Sequence, residues 1–414
     1  MCLYTITKLI NITGYIVKEI ICMTAKEIRI RIEAEEGNPA ICSECREVHN
    51  EGYHSSKEMV AEGLRLGERR LFLHVLKRRY RCPKVKGIRT EAIPWIEMGS
   101  RVTKAYAKEI NRLTAITTNE EAGWYLGLDD EKIYRIDKAM LEEQASKKLN
   151  PPPASANISV DEVSYRKHHR YLTNVIDVDK KLLIWNEKGR RTEVLDKYYE
   201  AIGEDNCQRI ESVALDGAKT YISSSKKYAV NALIVLDRFH TTQKINQTVD
   251  RVRKDELAKA RKNREEEIIH LTNCKQRFVL LKKKNRLTDR QSFTLKRLCE
   301  INEPIYKAML LKESFLQVYE CKDIKEAEEH LNDWIKQATE SSLEAFKELS
   351  ESIKEKAQYI LNWFKKRTSS AISEGFNNKI KRLKRMAYGY KDIEYFKLKI
   401  HQHCGLLNPR RFAT

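Results

Sequence analysis

Two aspartates, Asp161 and Asp216, occur at strand-like segments near the middle of the sequence. Asp161 lies within the run 157–163 (NISVDEV), and Asp216 directly follows the run 210–215. Paired carboxylates are unfavourable unless a cation neutralises them, and Mg²⁺ or Mn²⁺ accepts such hard oxygen ligands. Two ions about 3.5 to 4 Å apart would clamp the attacking and leaving oxygens of a phosphoryl transfer. The pair predicts this chemistry, whereas either aspartate alone is more typical of a strand end.

The order of elements around these aspartates predicts that they meet. Three strands are followed by a helix, a strand, a helix and a strand, at 157–163, 171–178, 182–186, 192–202, 210–215, 219–228 and 232–236. This is the order of a ribonuclease-H-like fold, an α/β domain with a mixed five-stranded sheet. Its first and fourth strands are neighbours, so Asp161 and Asp216 would lie side by side.

A third carboxylate is suggested by the segment 373–390, SEGFNNKIKRLKRMAYGY. At 100° per residue, one face of this predicted helix carries an acid, an amide and two cations: Glu374, Asn378, Lys381 and Arg385. The opposite face is apolar: Phe376, Ile380, Leu383 and Ala387. A metal ligand followed by contacts to a DNA backbone fits this pattern, and so does a solvated basic helix.

Three cysteines near the N-terminus indicate half of a zinc ribbon. Cys42 and Cys45 form a CxxC, and Cys82 follows the strand-like stretch RRYR. A structural Zn²⁺ takes four tetrahedral ligands, and a regular ribbon would place a cysteine where Val85 stands. The fourth ligand is open among three histidines, His49, His54 and His74. Residues 1–98, with strands at 27–34 and 70–80, are predicted to form a small zinc-finger-like module, or a relic finger held by its core alone.

Residues 99–150 predict a helix-turn-helix. Two short helical patterns, 119–126 and 130–143, are separated by Gly127-Leu128-Asp129. The second helix would enter the major groove of DNA. Its candidates to face DNA are Lys132, Tyr134, Arg135 and Lys138. An ordinary helical hairpin fits the same pattern.

Three prolines at 151–153 predict a linker to the catalytic region. That region is predicted to have a first part at 154–250, a helical insertion at 251–361 and a last part at 362–414. Residues 251–286 hold 13 basic and 5 acidic residues, whereas 320–357 hold 6 basic and 11 acidic. The basic part is expected to bind DNA phosphates, and the acidic part, with Trp334 and Phe346 buried, to form scaffold or dimer surface. Solvated helix faces are the alternative for both.

The composition favours a polyanionic partner. The 414 residues include 78 Lys and Arg against 59 Asp and Glu, a formal net charge of +19. Such an excess suits nucleic acid, although an anionic membrane surface could use the same charge. No apolar run is long enough to predict a membrane span. Ten cysteines are too sparse for a disulfide scaffold, so we expect a reduced, cytoplasmic protein.

Four segments together resemble the ISL-three family of bacterial insertion-sequence transposases. They are the run 373–390, IVLDRFH at 234–240, SVDE at 159–162, and the CxxC with RRYRC. The resemblance spans nearly the whole chain and departs from the family pattern at Val85. It implies a DDE transposase with a zinc-finger-like N-terminus, a helix-turn-helix and a ribonuclease-H-like catalytic domain interrupted by a helical insertion.

The resemblance also implies roles for individual residues. Asp161, Asp216 and Glu374 would hold two Mg²⁺ or Mn²⁺ ions. Asp237 competes with Asp216, but it ends the next strand, which is one further from Asp161. Asp237 and His240 resemble an element beside the site and would orient the substrate, or else serve as a helix cap and a packed histidine.

The expected activity is cleavage of terminal inverted repeats followed by joining of the freed 3′-hydroxyls to target DNA by transesterification. Two ends must be paired before joining, so a homodimer or higher oligomer is expected on DNA, associated with the nucleoid. Two other functions remain open: a catalytically silent, transposase-derived DNA-binding protein or repressor, and a metal-dependent nuclease without strand transfer.

Overall fold

The computed structural model describes residues 3–49, 51–97, 99–166, 170–273, 276–282, 286–367 and 371–409. These residues belong to two compact units. The first comprises 1–147 with 392–403 and 407–414, and the second comprises 148–391 with 404–406. The boundary at 147/148 lies next to the three prolines of the predicted linker. No helix in the described ranges is long and apolar enough to cross a membrane.

The first unit begins with a helix and two β-sheets. Its elements are α1 (Leu3–Ile10), β1 (Tyr15–Met23), β2 (Glu27–Ala34), β3 (Ala40–Ile41), β4 (Val48–His49), β5 (Tyr53–Leu66), β6 (Arg69–Cys82) and β7 (Gly87–Thr90). The larger sheet has the order β1-β2-β6-β5, with β7 paired to β6, and β3 pairs with β4. Strand β2 has the predicted bounds, and its alternation buries Ile28, Ile30 and Ile32 in the core.

Three helices follow: α2 (Lys104–Thr114), α3 (Asn119–Leu126) and α4 (Asp130–Lys148). Helix α3 begins with a capping box, in which the Thr118 hydroxyl accepts from the Glu121 amide and the Glu121 carboxylate accepts from the Thr118 amide. It ends at Gly127, whose φ of 63° is left-handed. A Cβ on Gly123 would lie 2.7 Å from the Leu128 carbonyl oxygen, so the close turn into α4 requires glycine there. The two predicted helices and their break are therefore confirmed.

The second unit contains a five-stranded sheet with helices interspersed. Its first elements are β8 (Asn157–Arg166), β9 (Arg170–Asp177), β10 (Leu182–Lys188), α5 (Thr192–Ile202), α6 (Glu204–Gln208), β11 (Ser212–Leu215), α7 (Lys219–Tyr228) and β12 (Leu233–Leu236). The sheet order is β10-β9-β8-β11-β12, and β11 runs parallel to both β8 and β12. The first and fourth strands are thus neighbours, as predicted. Ile158 and Val160 of β8 pack into a core on one face of the sheet, together with Tyr198 of α5.

The rest of this unit is helical. Its helices are α8 (Arg238–Asn263), α9 (Glu266–Thr272), α10 (Arg277–Leu281), α11 (Asp289–Ile301), α12 (Glu303–Val318), α13 (Ile324–Glu340), α14 (Glu344–Lys354), α15 (Ala357–Lys365) and α16 (Ala371–Met386). The helical character predicted for 251–361 is confirmed over the described part of that range. Trp334 and Phe346 are fully buried in its core, as predicted.

The final helix, α17 (Ile393–Cys404), lies mostly in the first unit. A buried ion pair joins it to α4, with Lys399 Nζ 3.1 Å from Asp137 Oδ2. The Tyr395 hydroxyl donates to the same oxygen at 2.7 Å, and Asn111 Nδ2 donates to Asp137 Oδ1 at 2.8 Å. Lys399 also donates to the Thr114 carbonyl at 2.7 Å. Because both charges have several hydrogen-bond partners, the pair fixes α17 on α2 and α4.

Replacing Lys399 with methionine should lower the free energy of unfolding of the first unit by about 3 to 5 kcal/mol, because Asp137 would keep a buried, uncompensated charge. Lys397→Met is the matched control on the same helix, since Lys397 pairs with the exposed Glu394 at 3.1 Å. That change should cost less than about 1 kcal/mol. Urea unfolding followed by tryptophan fluorescence measures both, and equal losses would contradict this account of α17.

Candidate active site and metal centre

Asp161 and Asp216 are brought level by the pairing of their strands. The β8–β11 ladder places Ala214 beside Ser159. Asp216 is two residues beyond Ala214 and Asp161 is two beyond Ser159, so the two positions lie level on neighbouring strands, and the charge of Asp216 acts to raise the pKa of Asp161. The structure therefore brings together the two aspartates that the order of elements predicted to be neighbours.

Asp237 extends this row on the other side of Asp216. The parallel β11–β12 ladder ends with Leu215 beside Leu236, and the next residue on each strand is an aspartate. Asp237 is 6% exposed and caps α8, where its Oδ1 accepts from the Phe239 amide at 2.8 Å. Three carboxylates thus follow one another across the edge of the sheet, with Asp216 in the middle.

Asp161 is held by two hydrogen bonds. Its Oδ1 accepts from the Glu162 amide at 2.7 Å, and its Oδ2 accepts from Asn377 Nδ2 at 2.7 Å. Burial raises the pKa of Asp161 to about 6; the Glu162 amide opposes this rise, and the carboxylates of Asp216 and Asp237 add to it. Its burial and its acidic neighbours therefore disfavour the ionised form of this carboxyl group.

Helix α16 carries the predicted third carboxylate, Glu374. The helix contacts β8 through the Ser373 and Ser159 hydroxyls, 2.5 Å apart, and through the bond from Asn377 to Asp161. The predicted apolar stripe is confirmed, since Phe376, Ile380 and Leu383 are buried. The opposite side chains are exposed: Glu374, Asn378, Lys381 and Arg385. Within the described ranges, the carboxylates do not form a set whose oxygens all lie within 4.8 Å of one another.

The donor set at the sheet edge fits a divalent cation of the magnesium type. Its oxygens come from carboxylates, which hard cations prefer. Asp237 Oδ2 is buried and has no hydrogen-bond partner, and His240 Nε2 lies 3.5 Å from it. His240 is the residue that we expected, from the sequence, to act together with Asp237. A cation near Asp161 and Asp216 would relieve the repulsion that raises the pKa of Asp161.

Sequence reasoning missed Asn174, which continues the polar row in the other direction. Strand pairing places Asn174 of β9 opposite Asp161 and opposite Asn186 of β10. Asn174 is 0% exposed, and neither of its side-chain polar atoms has a hydrogen-bond partner. The signal available in the sequence was a polar residue within YLTNVID, a strand whose neighbouring residues are largely apolar.

The N-terminal cysteines form a compact ligand set with one histidine. The ligand atoms of Cys42, Cys45, His49 and Cys82 all lie within 4.8 Å of one another. The Sγ atoms of Cys82 and Cys45 are 3.7 Å apart, and Cys45 Sγ is 3.4 Å from His49 Nε2. Tetrahedral zinc with Zn–S bonds of about 2.3 Å separates its sulfur ligands by roughly 3.8 Å. These four residues therefore fit Zn²⁺.

The structure selects His49 from the three histidines that the sequence left open. His49 is on β4, and its pairing with Ala40 of β3 brings it back beside the CxxC turn. His54 Nδ1 lies 3.0 Å from the Ser55 hydroxyl, and His74 Nδ1 lies 3.0 Å from Glu58 Oε1. Neither belongs to the compact ligand set.

Hydrogen bonds from backbone amides act to lower the pKa values of two thiols at this site. Burial alone would raise the pKa of Cys82, but hydrogen bonds from the Val85 amide and from Cys45 outweigh it and lower the pKa to about 7. For Cys45, the Glu47 amide lowers the pKa, while burial and the sulfurs of Cys42 and Cys82 raise it. Val85 thus contributes a backbone donor at the place where a regular ribbon would have a thiolate.

Two of the three cations predicted to contact DNA from α4 form ion pairs within the first unit. Lys132 Nζ is 3.2 Å from Glu62, and Lys138 Nζ is 2.7 Å from Asp392. Arg135 is exposed. Tyr134, also expected to face DNA, instead donates to Asp392 at 2.7 Å.

Comparison with known proteins identifies relatives over most of the chain. A family model described as "Transposase" matches residues 158–400, and one described as "zinc-finger of transposase IS204/IS1001/IS1096/IS1165" matches residues 38–84. The chain is 29% identical over 357 residues to the transposase for insertion sequence element IS1001 of Bordetella parapertussis, covering 86% of each protein. It is 27% identical over 341 residues to the transposase for insertion sequence element IS1557 of Mycobacterium tuberculosis, covering 78% of this chain and 76% of that protein.

His49→Ala should reduce the zinc content of the purified protein from about one ion per chain and weaken zinc retention against a chelator, because a structural site needs four ligands. His54→Ala should leave both unchanged. Elemental analysis and a competition titration with a zinc dye measure the two effects. Zinc loss from His54→Ala, with retention in His49→Ala, would contradict the ligand set.

Asn174→Leu should raise the free energy of unfolding of the second unit by about 1 to 2 kcal/mol in metal-free buffer, because the change removes a buried amide that has no partner. Asn157→Leu is the control. Asn157 Nδ2 donates to Asp179, and its Oδ1 accepts from Ser212, both at 2.8 Å, so this change should destabilise the unit. Urea unfolding in the presence of EDTA measures the free energy of unfolding of both variants. If both changes destabilise the unit, Asn174 has a partner.

Proposed function

The chain belongs to the ISL-three family of DDE transposases, and we propose that it cleaves the inverted-repeat ends of an insertion sequence and joins their 3′-hydroxyls to target DNA. The observation that carries the proposal is the strand register that sets Asp161 level with Asp216. Helix α16 runs beside β8. Its Asn377 donates to Asp161, and Glu374 lies in its first turn. We assign Asp161, Asp216 and Glu374 as the metal ligands.

A ribonuclease-H-like identity for the catalytic region is part of this proposal. The sheet order β10-β9-β8-β11-β12 supports it, because the first strand is central and is flanked by the second and fourth. The region extends from 154 to 250 and from 362 to 386, and the helices between them are the insertion. The last part is shorter here than the predicted 362–414, because most of α17 belongs to the first unit.

Neighbouring residues orient the carboxylates of the site before substrate binds. The Glu162 amide and Asn377 fix both oxygens of Asp161, so this carboxylate has one orientation. Asp237 is engaged as the cap of α8 and contacts His240, which supports a positioning role for both residues. When bound, two Mg²⁺ or Mn²⁺ ions would activate water or a 3′-hydroxyl and stabilise the departing oxygen.

DNA binding is assigned to several basic surfaces. In the first unit, α3 and α4 form the proposed helix-turn-helix, and Arg135 with Arg101 and Lys132 lines a cavity beside α4. Lys132 and Lys138 are weaker candidates than Arg135 because they pair with Glu62 and Asp392. In the second unit, Asn378, Lys381 and Arg385 would follow the backbone of the strand that is cut. We further propose that the Cys₃His set binds one structural Zn²⁺ and that the protein works as at least a dimer, because two ends must be joined together.

A strand-transfer assay on labelled inverted-repeat DNA that flanks the reading frame, with Mg²⁺, tests the catalytic assignment. Asp216→Asn and Glu374→Gln should abolish cutting and joining, because each removes a ligand charge. Asp237→Asn should only weaken joining, since asparagine can still accept the hydrogen bond that caps α8. The parent protein without Mg²⁺ should be inactive.

The other outcomes separate the alternatives. A parent protein that binds the ends but neither cuts nor joins them is a DNA-binding descendant of a transposase. Cutting without joining identifies a nuclease. Full activity in Asp216→Asn together with none in Asp237→Asn would show that Asp237 is the second ligand.

A further inference from the structure

Tyr388 occupies an unusual position in the turn that follows α16. It is 100% exposed, the highest value among the exposed large hydrophobic residues of the described ranges, where Trp124 follows at 85%. Its backbone φ is 49°, in the left-handed region that suits glycine and strains residues with a side chain. The next residue, Gly389, also has a positive φ, of 105°. The fold therefore holds a bulky ring in an unfavourable backbone conformation without packing it against anything.

The turn around this ring is anchored. Gly389 N donates to the Lys384 carbonyl at 2.9 Å, which closes the turn onto the end of α16. Arg166 Nη2 donates to the carbonyls of Tyr390 at 3.0 Å and Lys391 at 2.9 Å. Arg166 is the last residue of β8, the strand of the carboxylate site. The backbone of the turn that carries the ring is thus tied to that strand.

Two exposed cations on α16 lie between Glu374 and Tyr388 in the sequence. Lys381 and Arg385 are exposed, and they occur seven and eleven residues after Glu374, on one face of the helix. A DNA backbone that follows this face would meet these cations first and Tyr388 next. Alternation of phosphate-binding cations with an exposed aromatic ring is the arrangement by which proteins hold single-stranded nucleic acid.

The distance from the carboxylates can be estimated because α16 runs parallel to β8. Asn377 contacts Asp161, and Lys384 contacts the Ser164 carbonyl at 3.4 Å, so both chains advance in the same direction. Tyr388 is eleven residues beyond Asn377. Helix α16 covers the first nine of these steps, to Met386, which is roughly 14 Å at 1.5 Å per residue, and Tyr388 lies in the turn beyond the helix end.

We propose that Tyr388 stacks on an unpaired base of the DNA strand held along α16, on the far side of Lys381 and Arg385 from Glu374. The proposal rests on the proposed function, since it requires DNA on this face. A base within a duplex has both faces covered by its neighbours, so the ring needs a base that has left the stack. Stacking is tolerant of sequence because every base has a π face.

Two DNA probes and the full-length protein test this assignment. One probe is a blunt duplex of about 20 base pairs, and the other is the same duplex with a short single-stranded 3′ extension that contains 5-iodouracil. Tyr388→Asn removes the ring while asparagine tolerates a positive φ, and Tyr388→Phe retains the ring. Phe293→Ala is the control, because Phe293 is also an exposed aromatic residue, 72% accessible, on α11.

Tyr388→Asn should bind the extended probe about tenfold more weakly than the parent and bind the blunt duplex within about twofold. Tyr388→Phe and Phe293→Ala should match the parent on both probes. Irradiation of the extended probe with the parent should crosslink iodouracil to Tyr388, as located by mass spectrometry.

Equal binding of the extended probe by the parent and Tyr388→Asn, or a crosslink only at other residues, would overturn the assignment and leave the proposed function standing. Failure of the parent to bind either probe would remove the proposed function itself. The two failures are therefore distinguishable.

Discussion

The gathering of acidic side chains at a partly buried edge of the sheet is the constraint on which the second unit depends. Asp161, Asp216 and Asp237 end up level because β11 pairs in parallel with strands on both sides, and that register is fixed by apolar residues that cannot exchange faces. Burial and the two neighbouring acids raise the pKa of Asp161 to about 6. Holding these carboxylates together is unfavourable to folding. The apolar core beneath the sheet, which includes Ile158 and Val160, must therefore offset this cost.

Helix α16 combines three tasks because its faces differ. Phe376 and Ile380 are buried and fix its position. Asn377, next to this stripe, reaches Asp161, while Glu374 and the cations remain in solvent. A rotation of the helix by one residue would move the apolar stripe by 100° and remove the amide from Asp161. Packing thus determines where the polar side chains of this helix lie.

Local sequence patterns predicted much of this architecture. Strand β2 and helices α3, α5 and α7 have the predicted bounds, because alternation, capping residues and glycines act over a few positions. The neighbouring positions of Asp161 and Asp216 followed from the order of elements. The function followed from the family resemblance, which the comparisons confirm at the level of the family.

Side-chain partners that depend on the details of contacts between distant residues could not be predicted. No spacing rule distinguishes His49 from His54, because the choice depends on how β4 pairs with β3. Lys138 and Tyr134 have the residue types of a DNA-reading surface, but Asp392, more than 250 positions later, binds both. Asn174 becomes notable only when the register shows that it faces Asp161.

The two candidate ligand sets of this chain differ in chemistry, and each fits a different class of ion. Thiolates and imidazole suit zinc, and four protein ligands leave no position open for a substrate. The carboxylate set offers only hard oxygens on a sheet edge where water and phosphate oxygens can complete the coordination of a magnesium-type ion. The soft set is preassembled within 4.8 Å, whereas the carboxylates remain farther apart as a set. Carboxylates repel one another, and a cation bound between them would offset that repulsion.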